Sequence, residues 1–326
     1  MTPRFVAMGA VLVLAFALAI ALGDQRFTAD QIRLALTEPG AGPAYIEKIL
    51  WDLRLPRASL AVLVGAALAV AGTVSQSIMR NALAEPGILG INAGAALAAL
   101  LVIVQWQTVS ETLLPWLTFA GACVMSAAIY GLAWQQGTTA LRIILIGVGL
   151  SALAGAGASF ISTFGDITSV QRAMVWLAGT LQDSRWAKVE ILAIWLLLPV
   201  ALVWLFAREL NLMAIGDDVA KGLGQRVNMT RGLLILATAA ISGAAVAAAG
   251  LIAFVGLAAP HIARSIVGQR HEALLPAAAL CGAIMVVAAD IVARRLMPPA
   301  QLPVGLMTGL LGAPFFGWLL WKRRND

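Results

Sequence analysis

The sequence predicts an all-α, polytopic integral membrane protein with about ten transmembrane helices. Three observations carry that prediction. Of the 326 residues, 61% are hydrophobic and 12% charged, against roughly 45–50% apolar and about 25% charged in a soluble globular chain. Apolar runs of bilayer-spanning length recur from one end of the sequence to the other. What separates them is short and rich in turn residues, so no soluble domain fits and the excess apolar surface has to face lipid.

A spanning helix needs about 20 mostly apolar residues. Such runs lie at 5–22, 58–78, 88–105, 113–134, 141–161, 187–207, 231–249, 251–267, 273–293 and 304–321. Arg4 ahead of an apolar run, with Ala17-Leu18-Ala19 behind, has the outline of a signal peptide. The many equally apolar runs that follow favour a first membrane anchor instead. The runs 231–249 and 251–267 almost touch, and read either as two spans or as one long helix followed by a re-entrant segment.

The connecting stretches carry breakers. Thr37-Glu38-Pro39-Gly40-Ala41-Gly42-Pro43 interrupts 23–57, Pro86-Gly87 ends 79–87, and 162–186 is mixed in polarity. The most charged stretch is 208–231, with Arg208, Glu209, Asp217, Asp218, Lys221, Arg226 and Arg231. The chain, 1–326, is therefore one transmembrane domain with a single prominent polar loop.

The formal charge of +6 is spread between apolar runs, without the basic and aromatic clustering of a nucleic-acid surface. Orientation follows from basic residues in short loops. With the N-terminus inside, the 22 Lys and Arg divide into 12 inside and 10 outside. Arg4 and Lys322-Arg323-Arg324 place both termini inside, which an even number of spans permits. The outside arginines, Arg26, Arg33, Arg54, Arg57, Arg172, Arg185, Arg294 and Arg295, then need their own explanation. Cys123 and Cys281 each sit in an apolar run, offer neither a disulfide framework nor a metal spacing, and read as packing residues. Gly90 with Gly94, Gly305 with Gly309, and Gly147, Gly149, Gly155 and Gly157 read as sites of close helix approach.

Reactive chemistry is missing. The two histidines are His261 and His271, and no HExxH, Gly-x-Ser-x-Gly or Gly-x-x-x-x-Gly-Lys-Ser/Thr pattern occurs. The chain reads as a non-catalytic protein with no cofactor site. Ion-coupled transporters place ionisable residues in mid-membrane. Here Asp290 stands near the end of its run, with Arg294 four residues on, on the same helical face, as a local ion pair. A driving force from another subunit is the simpler expectation.

Several motifs occur in order. Leu53-Arg54-Leu55-Pro56-Arg57 precedes the second run, and Asn81-Ala82-Leu83-Ala84-Glu85-Pro86-Gly87-Ile88-Leu89-Gly90 follows it. Trp176-Leu177-Ala178-Gly179-Thr180 precedes the sixth, and Leu210-Asn211-Leu212-Met213-Ala214-Ile215-Gly216 runs on to Leu223-Gly224 in the charged loop. Gly250-Leu251-Ile252-Ala253-Phe254-Val255-Gly256-Leu257-Ala258-Ala259-Pro260-His261 follows the seventh. Leu302-Pro303-Val304-Gly305 and Gly312-Ala313-Pro314-Phe315-Phe316 mark the last. Over nearly the whole chain this set resembles the permeases of iron-siderophore, haem and vitamin B12 ABC importers, the FecCD family of type II importers. Departures are Ala82 where Pro is common, Leu251 where Pro or Ala is, and Gln301 where Glu is.

The resemblance implies a type II ABC importer permease fold and further roles. The stretch 208–230 would form two short cytoplasmic helices docking on an ATPase, with Asn211, Gly216, Asp217, Asp218, Lys221 and Gly224 in the coupling surface. Arg54, Arg57 and Arg294 would meet glutamates of a substrate-binding protein; Arg295 is a neighbour without motif support. Charge reversal of Arg54 and Arg57 together is expected to abolish that docking and spare folding. A pathway at the interface of two permease copies would be lined by Ser151, Gly155, Ser159, Ser162 and Thr163. The implied partners are two copies of a cytoplasmic ATP-binding subunit, a periplasmic or lipid-anchored binding protein, and a second permease, identical or not. The implied location is the bacterial inner membrane. The cargo reads as a ferric siderophore, with haem or cobalamin as alternatives. An ion-coupled secondary transporter and a structural or signalling subunit are the rival classes.

Overall fold

The computed structural model describes residues 2–322 apart from 24, 26, 39, 107–112, 136, 298 and 299, and leaves out the side chains of 2, 315, 316, 318–320 and 322. Arg26, Arg323 and Arg324, used above for orientation, lie outside the described residues, as do the side chains of Lys322, Phe315 and Phe316. Among the described residues the chain is helical without strands. In order come α1 (Thr2–Ala21), α2 (Ala29–Thr37), α3 (Ala44–Lys48), α4 (Leu55–Ile78), α5 (Ile91–Gln105), α6 (Leu114–Ala133), α7 (Ala140–Phe164) and α8 (Ile167–Leu177). They are followed by α9 (Trp186–Leu205), α10 (Ala207–Ile215), α11 (Asp217–Gly222), α12 (Val227–Ala249), α13 (Val255–Val267), α14 (His271–Arg295) and α15 (Val304–Lys322).

Each of the ten apolar runs coincides with one helix: α1, α4, α5, α6, α7, α9, α12, α13, α14 and α15. Seven are long enough to cross a membrane, while α5, α13 and the apolar part of α15 are shorter. The near-contiguous pair is two helices broken at residues 250–254. At about 1.5 Å per residue, α13 covers only about 20 Å, well short of a hydrocarbon core of about 30 Å. Irregular backbone at such depth has to be satisfied by protein. Thr180 N–H donates to the Ala249 carbonyl at 2.8 Å, and Gly305 N–H to the Gly179 carbonyl at 3.1 Å. Gly250 (φ 72°) lies so close to this junction that a Cβ there would stand 2.2 Å from the Trp176 oxygen.

The loops hold more helix than their composition suggests. In 23–57, α2 is closed by a capping box between Thr28 and Gln31. A π-helical stretch, Ile49–Arg54, joins α3 to α4, so the helix runs without a break from Ala44 to Ile78. In 162–186, Asp166 caps α8 by accepting the Ser169 N–H. The apolar face of α8 (Val170, Ala173, Leu177) packs on Leu97, Leu100 and Val104 of α5.

Hydrogen bonds fix which ends meet. Arg4 donates to the Ile266 carbonyl at the end of α13, and Asn211 of α10 bonds His271 at the start of α14. These define the proximal end. At the distal end the indole of Trp186, which starts α9, donates to the Trp51 carbonyl just before α4 at 2.7 Å. Burial is uneven: α4 and α12 are enclosed over most of their length, whereas α1, α7 and α9 are largely exposed and face lipid or partners.

Lipid gives helices no hydrophobic reason to associate, so contact depends on close backbone approach. A Cβ on Gly65 of α4 would lie 2.2 Å from the Gly282 oxygen of α14, and one on Gly282 the same distance from the Gly65 oxygen. A Cβ on Gly72 would lie 1.9 Å from the Gly256 oxygen, and one on Gly94 2.4 Å from the Gly121 oxygen. Gly149, Gly155 and Gly309 have open space instead. We expect Gly65→Val and Gly282→Val each to cost more than the about 1–3 kcal/mol of ordinary overpacking, because the obstacle is backbone. Gly155→Ala should be neutral or slightly stabilising. Thermal unfolding in detergent checks both, and equal melting temperatures for all three variants would contradict the packing scheme.

Candidate functional site

Two polar assemblies stand out, one at each end. At the distal end Asp290, 1% exposed near the close of α14, accepts from Arg57 Nε at 2.9 Å, and Arg57 Nη2 lies 2.9 Å from the same oxygen. Arg294 Nε sits 3.0 Å from the other oxygen. The i,i+4 pair read from the sequence is thus present, with Arg57 of α4 as a third member. Arg57 Nη1 also donates to Gln301 Oε1 at 2.7 Å, tying the start of α15 to the cluster.

The remaining donors hold the end of α1. Helix C-termini leave carbonyls without intrahelical partners and favour cations. Arg294 donates to the Leu22 and Ala19 carbonyls, both at 3.2 Å. Arg54 donates to Ile20 at 2.7 Å and to Gln25 at 2.5 Å, and its guanidinium lies 4.5 Å from the Phe27 ring centroid. Gly23 permits this, since a Cβ there would fall 2.3 Å from the Arg54 guanidinium.

Arg54, Arg57 and Arg294 therefore come together. All three line an open cavity of about 600 Å³ with Gln182 and Gln301, and no carboxylate is among its described lining residues. Three guanidiniums against the one Asp290 carboxylate leave the cluster at +2. Arg54 and Arg294 are buried rather than projecting. The expectation that reversing Arg54 and Arg57 would spare folding is thus corrected: it would place carboxylates against Asp290 and the α1 carbonyls. The sequence also gave no sign of Arg57–Asp290, because the two residues are 233 positions apart.

At the proximal end the stretch 208–230 holds α10 and α11, joined at Gly216, whose φ of 147° suits glycine alone. Asp217 opens α11 and takes both of its 2.7 Å bonds from Arg231 Nη2 of α12. Arg231 is 1% exposed and also donates to the Thr138 carbonyl between α6 and α7 at 2.6 Å. In α10, Asn211 Oδ1 accepts from the His271 N–H at 2.9 Å and from Nδ1 at 2.7 Å, and its amide donates to Glu272 at 3.0 Å. Nδ1 thus carries a proton towards Asn211, and Nε2 lies in hydrogen-bond contact with the Ser77 hydroxyl of α4, which is also within reach of the Thr73 carbonyl at 2.9 Å. Asp218 and Lys221 face solvent 3.7 Å apart, and Gly224 lies in open space. Arg231, His271 and Ser77 were assigned no site role from the sequence; a polar Gln76-Ser77 at the end of an apolar run was the available signal for the last.

Arg80 adds a backbone outlier. The Asn81 N–H bonds the Gln76 carbonyl and the Arg80 N–H bonds that of Ser77, a Schellman closure of α4. Its left-handed position normally takes glycine, yet Arg80 holds it at φ 47°, at a cost of about 1–2 kcal/mol.

The residues expected to line a pathway all lie on α7. Gly155, Ser159 and Thr163, spaced four apart on one face, are exposed, with Ser151 and Ser162 half-buried at its edge. Ser162 and Thr163 donate to carbonyls four residues back, at 2.9 and 2.8 Å, so the wall is only weakly polar. No group of three metal-ligating side chains occurs among the described residues. Glu85, between α4 and the 3-10 turn Pro86–Leu89, lies beside Gly87 and Asn92, and burial raises its pKa above the ordinary carboxylate range.

Two outcomes are expected. Asp290→Ala leaves two guanidiniums without their carboxylate and should cost about 3–5 kcal/mol, read as a lower melting temperature in detergent; a wild-type value would contradict the cluster's structural role. Because the Glu85 pKa is raised on folding, its charge opposes folding at neutral pH. Glu85→Gln should therefore stabilise at pH 7–8, with the difference shrinking as pH falls towards the unfolded value of 4.5. A difference independent of pH would refute that origin.

Known proteins share this architecture. The chain is 41% identical over 290 residues to the iron(3+)-hydroxamate import system permease protein FhuG of Bacillus subtilis, covering 87% of this chain and 86% of that one. It is 41% identical to the hemin transport system permease protein HmuU of Yersinia pestis, covering 85% and 84%. It is 40% identical to the Fe(3+) dicitrate transport system permease protein FecD of Escherichia coli, covering 90% and 91%. A solved inward-facing structure assigned to the metal-chelate type of ABC transporter superposes with a TM-score of 0.90 at 30% identity, over 99% of this chain and all of that one. The FecCD transport family model matches residues 11–322, and the chain belongs to that family of ABC importer permeases.

Proposed function

We propose that this chain is the permease subunit of a binding-protein-dependent ABC importer that moves a ferric siderophore across the bacterial inner membrane. ATP is hydrolysed by a separate cytoplasmic subunit. The observation that carries the reading is the clamped pair α10–α11. Asp217–Arg231 ties α11 to α12, and Asn211–His271–Ser77 ties α10 to α14 and α4. A displacement applied there reaches three core helices through buried hydrogen bonds, as coupling to an external motor requires. The proximal end is then cytoplasmic, with both termini on that side.

The distal end faces the binding protein. The +2 charge at the mouth of the arginine cavity suits carboxylates on a partner. With Arg54 and Arg294 committed to the α1 carbonyls, attraction is electrostatic rather than through free forks. The exposed Gly155–Ser159–Thr163 face of α7 suits a pathway shared with a second permease copy. The relatives' names span hydroxamate, citrate and haem; a ferric siderophore is the reading supported by the ferric chelates that predominate among those names, with haem and cobalamin as alternatives.

Proteoliposomes holding the chain with its ATPase, supplied with binding protein, test this. Ferric hydroxamate should accumulate only with ATP, and haemin or cobalamin should not compete. ATP-independent accumulation, or preference for haemin, would overturn the assignment. Asp218→Ala with Lys221→Ala removes two exposed side chains and should leave the melting temperature unchanged. It should lower ATP-driven uptake several-fold, and unchanged uptake would count against α11 as the coupling surface.

A further inference from the structure

The proximal end carries a second cavity, of about 450 Å³, between the ends of α4 and α10, the last turns of α13 and the start of α14. Arg80, Arg264 and His261 line it together with Asn81 and Gln269, and no carboxylate is among its described lining residues. The C-terminal ends of α4, α10 and α13 each contribute about half a negative charge, and the start of α14 about half a positive one. Two guanidiniums outweigh that sum about twofold with histidine neutral, so the cavity is net positive. The nearby carboxylate at the start of α14, Glu272, is held by the Asn211 amide.

The site is built rather than incidental. Arg264 Nη1 donates to Gln76 Oε1 at 2.5 Å, and the Gln76 amide, 3% exposed, donates to the Gly256 and Leu257 carbonyls at 3.4 and 3.3 Å. The guanidinium at the back of the cavity is thereby oriented. At the mouth, Arg80 keeps a bulky side chain where its backbone geometry favours glycine. Its guanidinium lies within 3.5 Å of the point where a Gly216 Cβ would stand, over the joint between α10 and α11. Asn81 accepts from the Leu83 N–H at 2.9 Å and contributes its NH₂ as a neutral donor.

We propose that this cavity binds a phosphate group, either the headgroup of an anionic lipid or a free phosphate. Arginine forks match phosphate oxygens at two points. The cavity also opens where α4, α10 and α13 end and α14 begins, and basic pockets between membrane helices take anionic headgroups. Occupancy would brace the α10–α11 joint through Arg80. The inference does not depend on the cargo.

The test uses the full chain, delipidated in a neutral detergent, titrated with inorganic phosphate or with short-chain phosphatidylglycerol below its micellar concentration. Thermal shift and native mass spectrometry are the readouts. Wild type should show saturable stabilisation with at least one probe. Phosphatidylglycerol alone acting assigns a lipid headgroup, and phosphate acting assigns a free anion. Arg80→Gly relieves the positive φ, so its unliganded melting temperature should equal or exceed wild type while its affinity falls at least about tenfold. Arg80→Gln should lose the same affinity. No saturable response in wild type, or wild-type affinity in Arg80→Gly, would overturn the proposal.

Discussion

The organising constraint is that this chain cannot leave a charge or a backbone polar group unmatched where it meets lipid. Asp290 is enclosed only because Arg57 and Arg294 flank it, and Arg294 and Arg54 in turn cover the carbonyls that end α1. The same requirement operates at the other end, where Arg231 is enclosed between Asp217 and the Thr138 carbonyl. These charges join elements distant in sequence, so the ion pairs hold α1, α4, α14 and α15 together distally, and α11, α12 and the α6–α7 connection proximally.

Between the two clusters the bundle is nearly uncharged, and there glycine sets the geometry. Where α4 crosses α14 and meets the start of α13, carbonyl oxygens occupy space that any Cβ would fill. The exposed glycines of α7 serve no such contact within the chain. Glycine therefore has two uses here: thinning the core helices, and leaving open space on the outward side of α7 at Gly149 and Gly155.

Much of this was legible in the sequence. Hydropathy located a helix at each of the ten apolar runs, seven of them of spanning length among the described residues, because period and length survive without tertiary information. Asp290–Arg294 was legible because it is local to one helix. Arg57 as the third member was not, nor was Asn211–His271–Ser77, since each joins residues brought together by folding alone. The helix α8 escaped notice because 11 residues fall below spanning length and its polar face dilutes the apolar signal. Arg80 was read as a loop residue; only its φ reveals that it stands in a glycine position. Gln301, which stands where the family resemblance leads one to expect glutamate, accepts from Arg57 as a neutral partner and so leaves the distal cluster more positive.

The central claim is that the enclosed ion pairs Arg57–Asp290–Arg294 and Asp217–Arg231 are architectural, so that transport energy enters from outside the chain. The most direct measurement places the purified chain alone in liposomes and imposes a proton or sodium gradient with a ferric chelate outside. The account predicts no concentrative uptake under either gradient. Accumulation against the chelate gradient, driven by protons or sodium without an ATPase, would contradict it.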